Sequence, residues 1–306
     1  MSRSRPLLNA AHALNDGPFT PVDWALFIGV SVIWGSSFLL IAEALETMSP
    51  GVVTLGRVGL GALTLSLLRL RQPTSQRIAS EDRSMVLLLA VLWVGVPFTL
   101  FPLAQQHINS AVAGLLNGAT PIFVGVVSIL FVRTTPTGRQ FAGLVVGFLG
   151  VVLVSLGSAS GGATEVRGVV LVVLATVCYG FAINIAAPLQ AKYGAITLMS
   201  TILTLATIWV APFGLWSLGE SDWSLRSVAA LGLLGAVGTG SAYWIMASLV
   251  GRVGAVRASF ITYLIPVVSL VLGVSVRGDD VRAVAVAGAL LTIGGAFLAS
   301  RRATPR

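Results

Sequence analysis

The sequence predicts an all-α integral membrane protein in which ten transmembrane helices form two inverted repeats of five. Three observations predict this fold class. The composition is so apolar that only lipid could cover the protein surface. Ten apolar segments have the length of a membrane span, and landmark residues recur at a constant offset of 145 positions.

The chain is too poor in charge for a soluble fold. Of its 306 residues, 56% are hydrophobic and 10% are charged, whereas a soluble domain carries about 25% charged residues. A bilayer core tolerates such an apolar exterior. The net charge is +8. Because the basic residues lie between apolar segments, they indicate how the chain is oriented in the membrane, and no nucleic-acid partner is expected. The one cysteine, Cys178, excludes an internal disulfide and a multi-cysteine metal site.

Ten apolar segments can span a bilayer, because about 20 helical residues cross its hydrocarbon core. They cover residues 24–44, 51–70, 85–105, 111–132, 140–157, 168–189, 196–218, 228–250, 255–276 and 283–300. They lack the alternation of apolar and polar residues that barrel strands show. Residues 1–22 lack the features of a signal peptide and are expected to form an N-terminal tail, and residues 301–306 a C-terminal tail.

The basic residues predict that both tails are cytoplasmic. Of the 19 Lys and Arg residues, 14 fall in the tails and loops of one side, four fall on the other side, and Arg57 lies within a span. Basic residues concentrate on the cytoplasmic side of membrane proteins. The expected location is therefore the plasma membrane, which is the inner membrane in a bacterium.

The constant offset predicts an internal repeat. Shifting the chain by 145 residues places Trp34 on Tyr179 and Pro121 on Pro266. The same shift superposes a set of glycines, Gly143 and Gly150 on Gly288 and Gly295. Because each repeat, 23–157 and 167–300, contains an odd number of spans, the second enters from the opposite side of the membrane. Inverted repeats are typical of secondary transporters, whose substrate site lies near the midplane between the halves.

Several of these landmarks resemble the EamA-type carriers of the drug/metabolite transporter superfamily over nearly the whole chain. The similar features are the Ile-Trp-Gly-Ser-Ser-Phe stretch at 33–38, Arg57, the Asn109-Ser110-Ala111 sequence leading to Pro121, the Gly143/Gly150 pattern, and the Pro266 and Gly288/Gly295 set. The resemblance implies cytoplasmic termini, a central cavity lined by spans 1, 3, 4, 6, 8 and 9, and export of small metabolites or drugs. Family members often carry Glu after the fourth and ninth spans, where this chain has Thr134 and Asp279.

Arg57 is the clearest intramembrane charge. Charged residues at such depth are costly and mark functional sites by default. It could bind an anionic group of a substrate or pair with a neighbouring carbonyl. The alternative is an arginine that extends its charged head to the interface.

Nine further polar or aromatic residues are candidates for the substrate pathway: Trp34, Ser36, Ser37, Tyr179, Asn184, Tyr243, Trp244, Thr262 and Tyr263. An aromatic residue with a polar tip can stack on an apolar substrate and also offer a hydrogen bond. The alternative is that the hydroxyls bond to carbonyls of their own helix while the aromatic rings pack between helices.

Asn117 lies four residues before Pro121, which frees the backbone carbonyl of Asn117 from its helix hydrogen bond. Pro266 repeats this arrangement at Thr262. We expect the two prolines to act as hinges or as structural kinks, and Asn117 is a further candidate for the pathway.

The sequence lacks the residues that several other functions need. No Asp or Glu lies deep in a span, no Gly-rich phosphate loop with Lys is present, and no plausible catalytic or metal-ligand set is present. We therefore expect a secondary transporter, not an enzyme, that exports small metabolites such as amino acids, or drugs, by alternating access without a cofactor. The alternatives are a lipid-handling membrane protein, either a scramblase or an enzyme, and a membrane scaffold.

Overall fold

The computed structural model describes residues 18–70, 77–131, 137–158 and 163–300. Throughout this part of the chain the regular structure is helical, which confirms the all-α prediction. Most of the expected N-terminal tail, the whole C-terminal tail and Thr134 lie outside the described residues.

The helices follow one another with short connections. They are α1 Pro21–Leu45, α2 Pro50–Arg69, α3 Ser80–Gln105, α4 Ser110–Leu130, α5 Gly138–Ser158, α6 Ala163–Tyr193, α7 Ala195–Trp216, α8 Leu225–Val253, α9 Ile261–Arg277 after the short helix Ala255–Ala258, and α10 Ala283–Ser300. By length and composition, eight helices, α1 to α8, can cross a membrane, whereas α9 and α10 are shorter apolar helices. That α9 and α10 also span the membrane, which would bring the count to ten, stays a prediction.

Local sequence explains where several helices begin. Thr20 and Asp23 form a reciprocal capping box at the start of α1. Ser49, Asn109 and Ser224 accept hydrogen bonds from the first-turn amides of α2, α4 and α8. These side chains satisfy amides that have no partner within the helix.

Several of the helices depart from regular α geometry, among them α9, which ends in a π-helical segment at Gly273–Arg277. Helices α3 and α8 contain π-helical segments at Ala90–Gly95 and Leu233–Ser241, and these segments overlap under the 145-residue offset. Helix α4 is interrupted between Ser110–Asn117 and Thr120–Leu130. π-Helical turns occur frequently at functional sites.

The helix pairing follows the repeat. Helix α1 packs on α8 and α9, while α6 packs on α3 and α4; α2 packs on α7, and α5 on α10. Exchanging each helix with its counterpart five helices along leaves this set of pairs unchanged.

The close approach of α5 and α10 depends on glycines from both repeats. A Cβ on Gly150 would lie 2.6 Å from the Gly288 carbonyl oxygen, and a Cβ on Gly295 would lie 2.6 Å from the Gly143 carbonyl oxygen. The two contacts are counterparts at the offset of 145. Small residues allow membrane helices to approach this closely.

Two adjacent glycines of α10 provide a matched test of this packing. We expect Gly295→Ala to destabilise the protein by about 1–3 kcal/mol, because the added methyl group would overpack the helix contact. A Cβ added at Gly294 would meet no atom within 4 Å, so Gly294→Ala should be neutral or stabilise the protein by up to about 1 kcal/mol. Thermal unfolding in detergent measures both effects, and equal melting temperatures would contradict the glycine contact.

Candidate functional site

Arg57 is buried between three helices. Its side chain on α2 is only 7% exposed. Its Nε donates a hydrogen bond to Thr239 Oγ1 of α8 at 3.3 Å, and its guanidinium carbon lies 3.8 Å from the centroid of the Phe98 ring on α3. The arginine is therefore held in the interior by contacts from both halves of the chain.

The π-helical segment of α8 prepares the acceptor for Arg57. The Thr239 hydroxyl donates to the Leu234 carbonyl five residues earlier, at 3.0 Å. Since its proton is used in that bond, its oxygen is available to accept from Arg57.

Aromatic residues surround this position. The rings of Trp34 and Tyr243 meet edge to face with their centroids 5.6 Å apart. Tyr179 lies against Phe101, and both Tyr179 and Tyr243 lie near Arg57. We call Trp34, Arg57, Phe98, Tyr179, Thr239 and Tyr243 the Arg57 cluster.

The Arg57 cluster is symmetric in its aromatic residues and asymmetric in its charge. At the offset of 145, Trp34 corresponds to Tyr179 and Phe98 corresponds to Tyr243. The counterpart of Arg57 is Ile202, which is fully buried. The site therefore has matching aromatic walls and one cationic group on one side.

The charge of Arg57 is not compensated by the described residues. No carboxylate of the described residues forms an ion pair with it, and its only hydrogen bond there is the one from Nε. The two Nη groups therefore have no hydrogen-bond partner within the described part of the chain.

Three of the predicted polar residues bond to backbone carbonyls. Ser36 and Ser37 donate to the Ile33 carbonyl at 2.9 and 3.2 Å. Asn184 donates to the carbonyls of Gly180 at 2.8 Å and Val124 at 3.1 Å. Asn184 thereby joins α6 to α4.

Three other candidates have different surroundings. Trp244 is 37% exposed, whereas its neighbour Tyr243 packs against Trp34. Thr262 donates to the Ser259 carbonyl at 2.8 Å. Tyr263 packs near Phe260 and near Phe297 of α10.

The two prolines occupy different local structures. Pro121 follows the interruption of α4, and the Asn117 carbonyl accepts a hydrogen bond from Thr120 Oγ1 at 2.8 Å. Pro266 lies inside the continuous segment Ile261–Leu272 and covers Gly118, where a Cβ would lie 2.8 Å from its ring. Pro266 of α9 therefore packs on the break in α4.

Phe98, Phe101 and Thr239 were not predicted from the sequence. The offset relating Phe98 to Tyr243 was the available signal for the first. Nothing in the sequence distinguishes Thr239 from the many other hydroxyl residues in spans.

Charged groups join the helices at one end of the bundle, which we call the Glu43 end. Arg277 of α9 pairs with Glu43 at 2.9 Å and with Glu46 at 2.6 Å, and Arg226 of α8 also pairs with Glu43. These residues line a polar cavity of about 350 Å³. Asp279 accepts hydrogen bonds at the start of α4, from Ser110 Oγ at 2.6 Å and from the Ala111 amide at 2.9 Å.

The opposite end, which we call the Asp23 end, has separate pairs. Asp23 of α1 binds Arg252 of α8 at 2.6 Å. Lys192 of α6 binds Asp82 of α3 at 2.7 Å and Glu81 at 3.1 Å. These contacts connect α1 to α8 and α3 to α6, and they do not connect one pair to the other.

Helices α4 and α9 meet closely only in the half of the bundle nearer the Glu43 end. A Cβ on Gly114 would overlap the Ser269 side chain, and a Cβ on Gly273 would lie 2.8 Å from Ala111 Cβ. The second half of α4, Thr120–Leu130, makes no comparable packing on α9 among the described residues. Phe260, which precedes α9, and Leu264 of α9 are exposed there.

A contact between α1 and α3 shows the same asymmetry. The buried rings of Phe38 and Phe101 meet edge to face at 5.5 Å. Their counterparts at the offset of 145 are Ile183 and Met246, and Ile183 is 36% exposed. Among the described residues, the α4–α9 and α1–α3 contacts of the Glu43 end are therefore not repeated at the Asp23 end.

Known proteins resemble the chain along most of its length. The model of the EamA-like transporter family matches residues 24–156 and again residues 166–301. An uncharacterised transporter of Archaeoglobus fulgidus is 27% identical, over 91% of this chain and 99% of the relative. The uncharacterised inner membrane transporter YedA of Escherichia coli is 25% identical, over 85% and 84%. A solved crystal structure has a TM-score of 0.62 at 20% identity, covers 92% of this chain and 97% of its own, and shows the same fold.

Proposed function

The chain belongs to the EamA-like transporter family, and from that premise we propose that it is a secondary transporter that exports small metabolites or drugs by alternating access. In this proposal its ten helices form two inverted five-helix repeats, with both termini in the cytoplasm and the Asp23 end facing the cytoplasm. The observation that carries the proposal is the closure of α4 on α9 at one end of the bundle alone.

The helix contacts support the inverted repeat. A Cβ on Gly35 of α1 would lie 2.5 Å from Val268 of α9, and a Cβ on Gly180 of α6 would lie 2.9 Å from the Phe123 carbonyl of α4. The offset of 145 converts the first pair into the second. Two five-helix units with interchangeable contacts are what a pseudo-twofold axis in the membrane plane requires.

The broken symmetry supports two alternative states. In the state described, α4 meets α9 and α1 meets α3 at the Glu43 end, whereas among the described residues α4 and α9, and the counterpart pair α6 and α8, make no comparable contact at the Asp23 end. Exchange of the roles of the two repeats would open the Glu43 end. It would also bring Val124 of α4 close to Ser259, which lies between the short helix Ala255–Ala258 and α9. These two residues are the counterparts of Ser269 and Gly114. The described state is then the cytoplasm-facing one.

The Glu43 network acts as the external closure in this scheme. Glu43 is buried and bridges α1 to α8 and α9 through Arg226 and Arg277. When the Glu43 end opens, either the ion pair between Arg277 and Glu43 breaks or α1 and α9 move together. Because both arginines remain partly exposed, water can solvate them when the contacts separate.

A cysteine pair tests the missing state without a known substrate. Val124→Cys and Ser259→Cys are introduced into a Cys178→Ser background, which removes the native thiol. We expect a short bifunctional thiol reagent to cross-link the pair in membrane vesicles and to trap the outward-facing state. The two single-cysteine variants are the controls.

Transport provides the second readout of that test. Proteoliposomes are loaded with a defined mixture of organic acids, amino acids, nucleobases and cationic drugs, and exchange is followed by mass spectrometry. Cross-linking should abolish exchange. A pair that never cross-links in an active protein, or a cross-linked protein that still transports, would contradict alternating access; comparing inverted with right-side-out vesicles tests the direction.

A further inference from the structure

We propose that Arg57 binds the carboxylate of a small organic monoanion, and that the apolar body of this anion lies among Trp34, Tyr179 and Tyr243. This inference rests on the proposed transport function and assigns its substrate class.

The first support is the uncompensated charge. A buried ion is expensive to remove from water unless it is paired, and Arg57 is 7% exposed with no carboxylate partner among the described residues. Stacking on Phe98 and one bond to Thr239 do not supply a counter-charge. An anion that binds transiently would supply it.

The second support is the part of the guanidinium that remains available. The bond from Nε to Thr239 fixes one edge of the group, and Phe98 covers one face. The Nη1 and Nη2 groups have no partner in the described part of the chain, and together they form the fork that binds the two oxygens of a carboxylate.

The third support is the surrounding surface. Trp34 and Tyr243 are in edge-to-face contact, and Tyr179 approaches from α6. Such rings bind an apolar or planar body, and each carries one polar atom that can donate a hydrogen bond. The predicted ligand therefore has an apolar group next to its carboxylate.

The sign of the charge limits the ligand further. The ion pairs that the described carboxylates form lie at the two ends of the bundle, and none of them involves Arg57. Because Ile202 replaces Arg57 in the second repeat, the site holds one cation. It matches one negative charge, and a zwitterion would bury its positive charge without a partner.

The experiment compares four ligands that share one apolar body: 3-phenylpropionate, 3-phenylpropanamide, phenylalanine and phenethylammonium. Each is titrated against detergent-purified protein, and the rise in melting temperature gives its affinity, because a ligand bound only by the folded state stabilises it. We expect the carboxylate to bind at least about 30-fold more tightly than the amide, the usual consequence of losing a buried charged hydrogen-bond partner. Phenylalanine and phenethylammonium should bind more weakly than the carboxylate.

Variants locate the binding group. Arg57→Met should lose the preference for the carboxylate over the amide, and Arg57→Lys, which keeps the charge and loses the fork, should retain only part of it. Arg69→Met removes a charge from the same helix outside the cluster and should retain the full preference. The wild-type ligand comparison remains decisive even if the methionine variant does not fold.

Three results would overturn the proposal: equal binding of carboxylate and amide, a carboxylate preference that survives Arg57→Met, or tighter binding of phenylalanine than of 3-phenylpropionate. Protection by phosphatidylglycerol without protection by the carboxylate would also overturn it, because it would identify a lipid headgroup as the anion. The cysteine cross-linking test does not use these ligands, so failure of the anion proposal can be told apart from failure of the transport proposal.

Discussion

Arg57→Met is expected to abolish transport while leaving the melting temperature of the ligand-free protein unchanged or raised. Methionine fills a similar volume without a charge, and replacing a buried ion by an apolar residue is often neutral or stabilises by about 1–4 kcal/mol. The loss of the Phe98 contact and the Thr239 hydrogen bond opposes this gain by about 1–3 kcal/mol. A fall in stability as large as that of a core truncation would instead make Arg57 a structural residue.

A double-mutant cycle with Thr239 separates these contributions. Thr239→Val removes the acceptor of the Arg57 hydrogen bond and also the donor to the Leu234 carbonyl. The second loss occurs in both backgrounds, so the difference between backgrounds measures the bond to Arg57. We expect Thr239→Val to cost about 1–3 kcal/mol more when Arg57 is present than when methionine replaces it.

If the proposed alternating access holds, Gly114→Ala is expected to shift the conformational equilibrium towards the state that is open at the Glu43 end. The added methyl group would overlap Ser269 and approach Phe38 in the state described. Overpacking of this kind costs about 1–3 kcal/mol. The cost falls only on the state in which α4 and α9 meet at the Glu43 end, so the population ratio should change roughly 5–150-fold.

The cross-linking yield of the Val124→Cys and Ser259→Cys pair measures this shift. Gly114→Ala should increase the yield, whereas Gly294→Ala, whose added methyl group meets no atom within 4 Å, should leave it unchanged. A yield that falls in Gly114→Ala would show that α4 and α9 do not exchange contacts between the two ends.

The sizes of the paired side chains offer a reason why the state closed at the Glu43 end is the one described. Closure at the Glu43 end brings together Gly114 with Ser269 and Gly118 with Pro266. The counterpart pairs at the other end are Ser259 with Val124 and Tyr263 with Pro121. Because the side chains of the first two pairs are smaller, α4 and α9 can approach more closely at the Glu43 end.

Particular residues show how far the candidate site could be predicted. Arg57 could be singled out because a charge within an apolar span is rare and costly. Its partners could not, since Phe98 and Thr239 lie on other helices, and Thr239 is 182 positions away along the chain. Tyr243 and Trp244 looked equivalent in sequence, yet one points inward and the other is exposed, because neighbouring residues differ by about 100° around a helix.

The sequence by itself determined the helical membrane fold, the candidate repeat and Arg57 as a charge within a span. Apolar length, the distribution of basic residues and a constant offset are properties of the chain that need no three-dimensional contacts. Only the tertiary structure decided which aromatic residues surround Arg57, that its charge has no described counter-ion, and which end of the bundle is closed. The physical reason is that these features depend on the rotation of each helix and on contacts between the two halves, and the π-helical segments of α3 and α8 change that rotation locally.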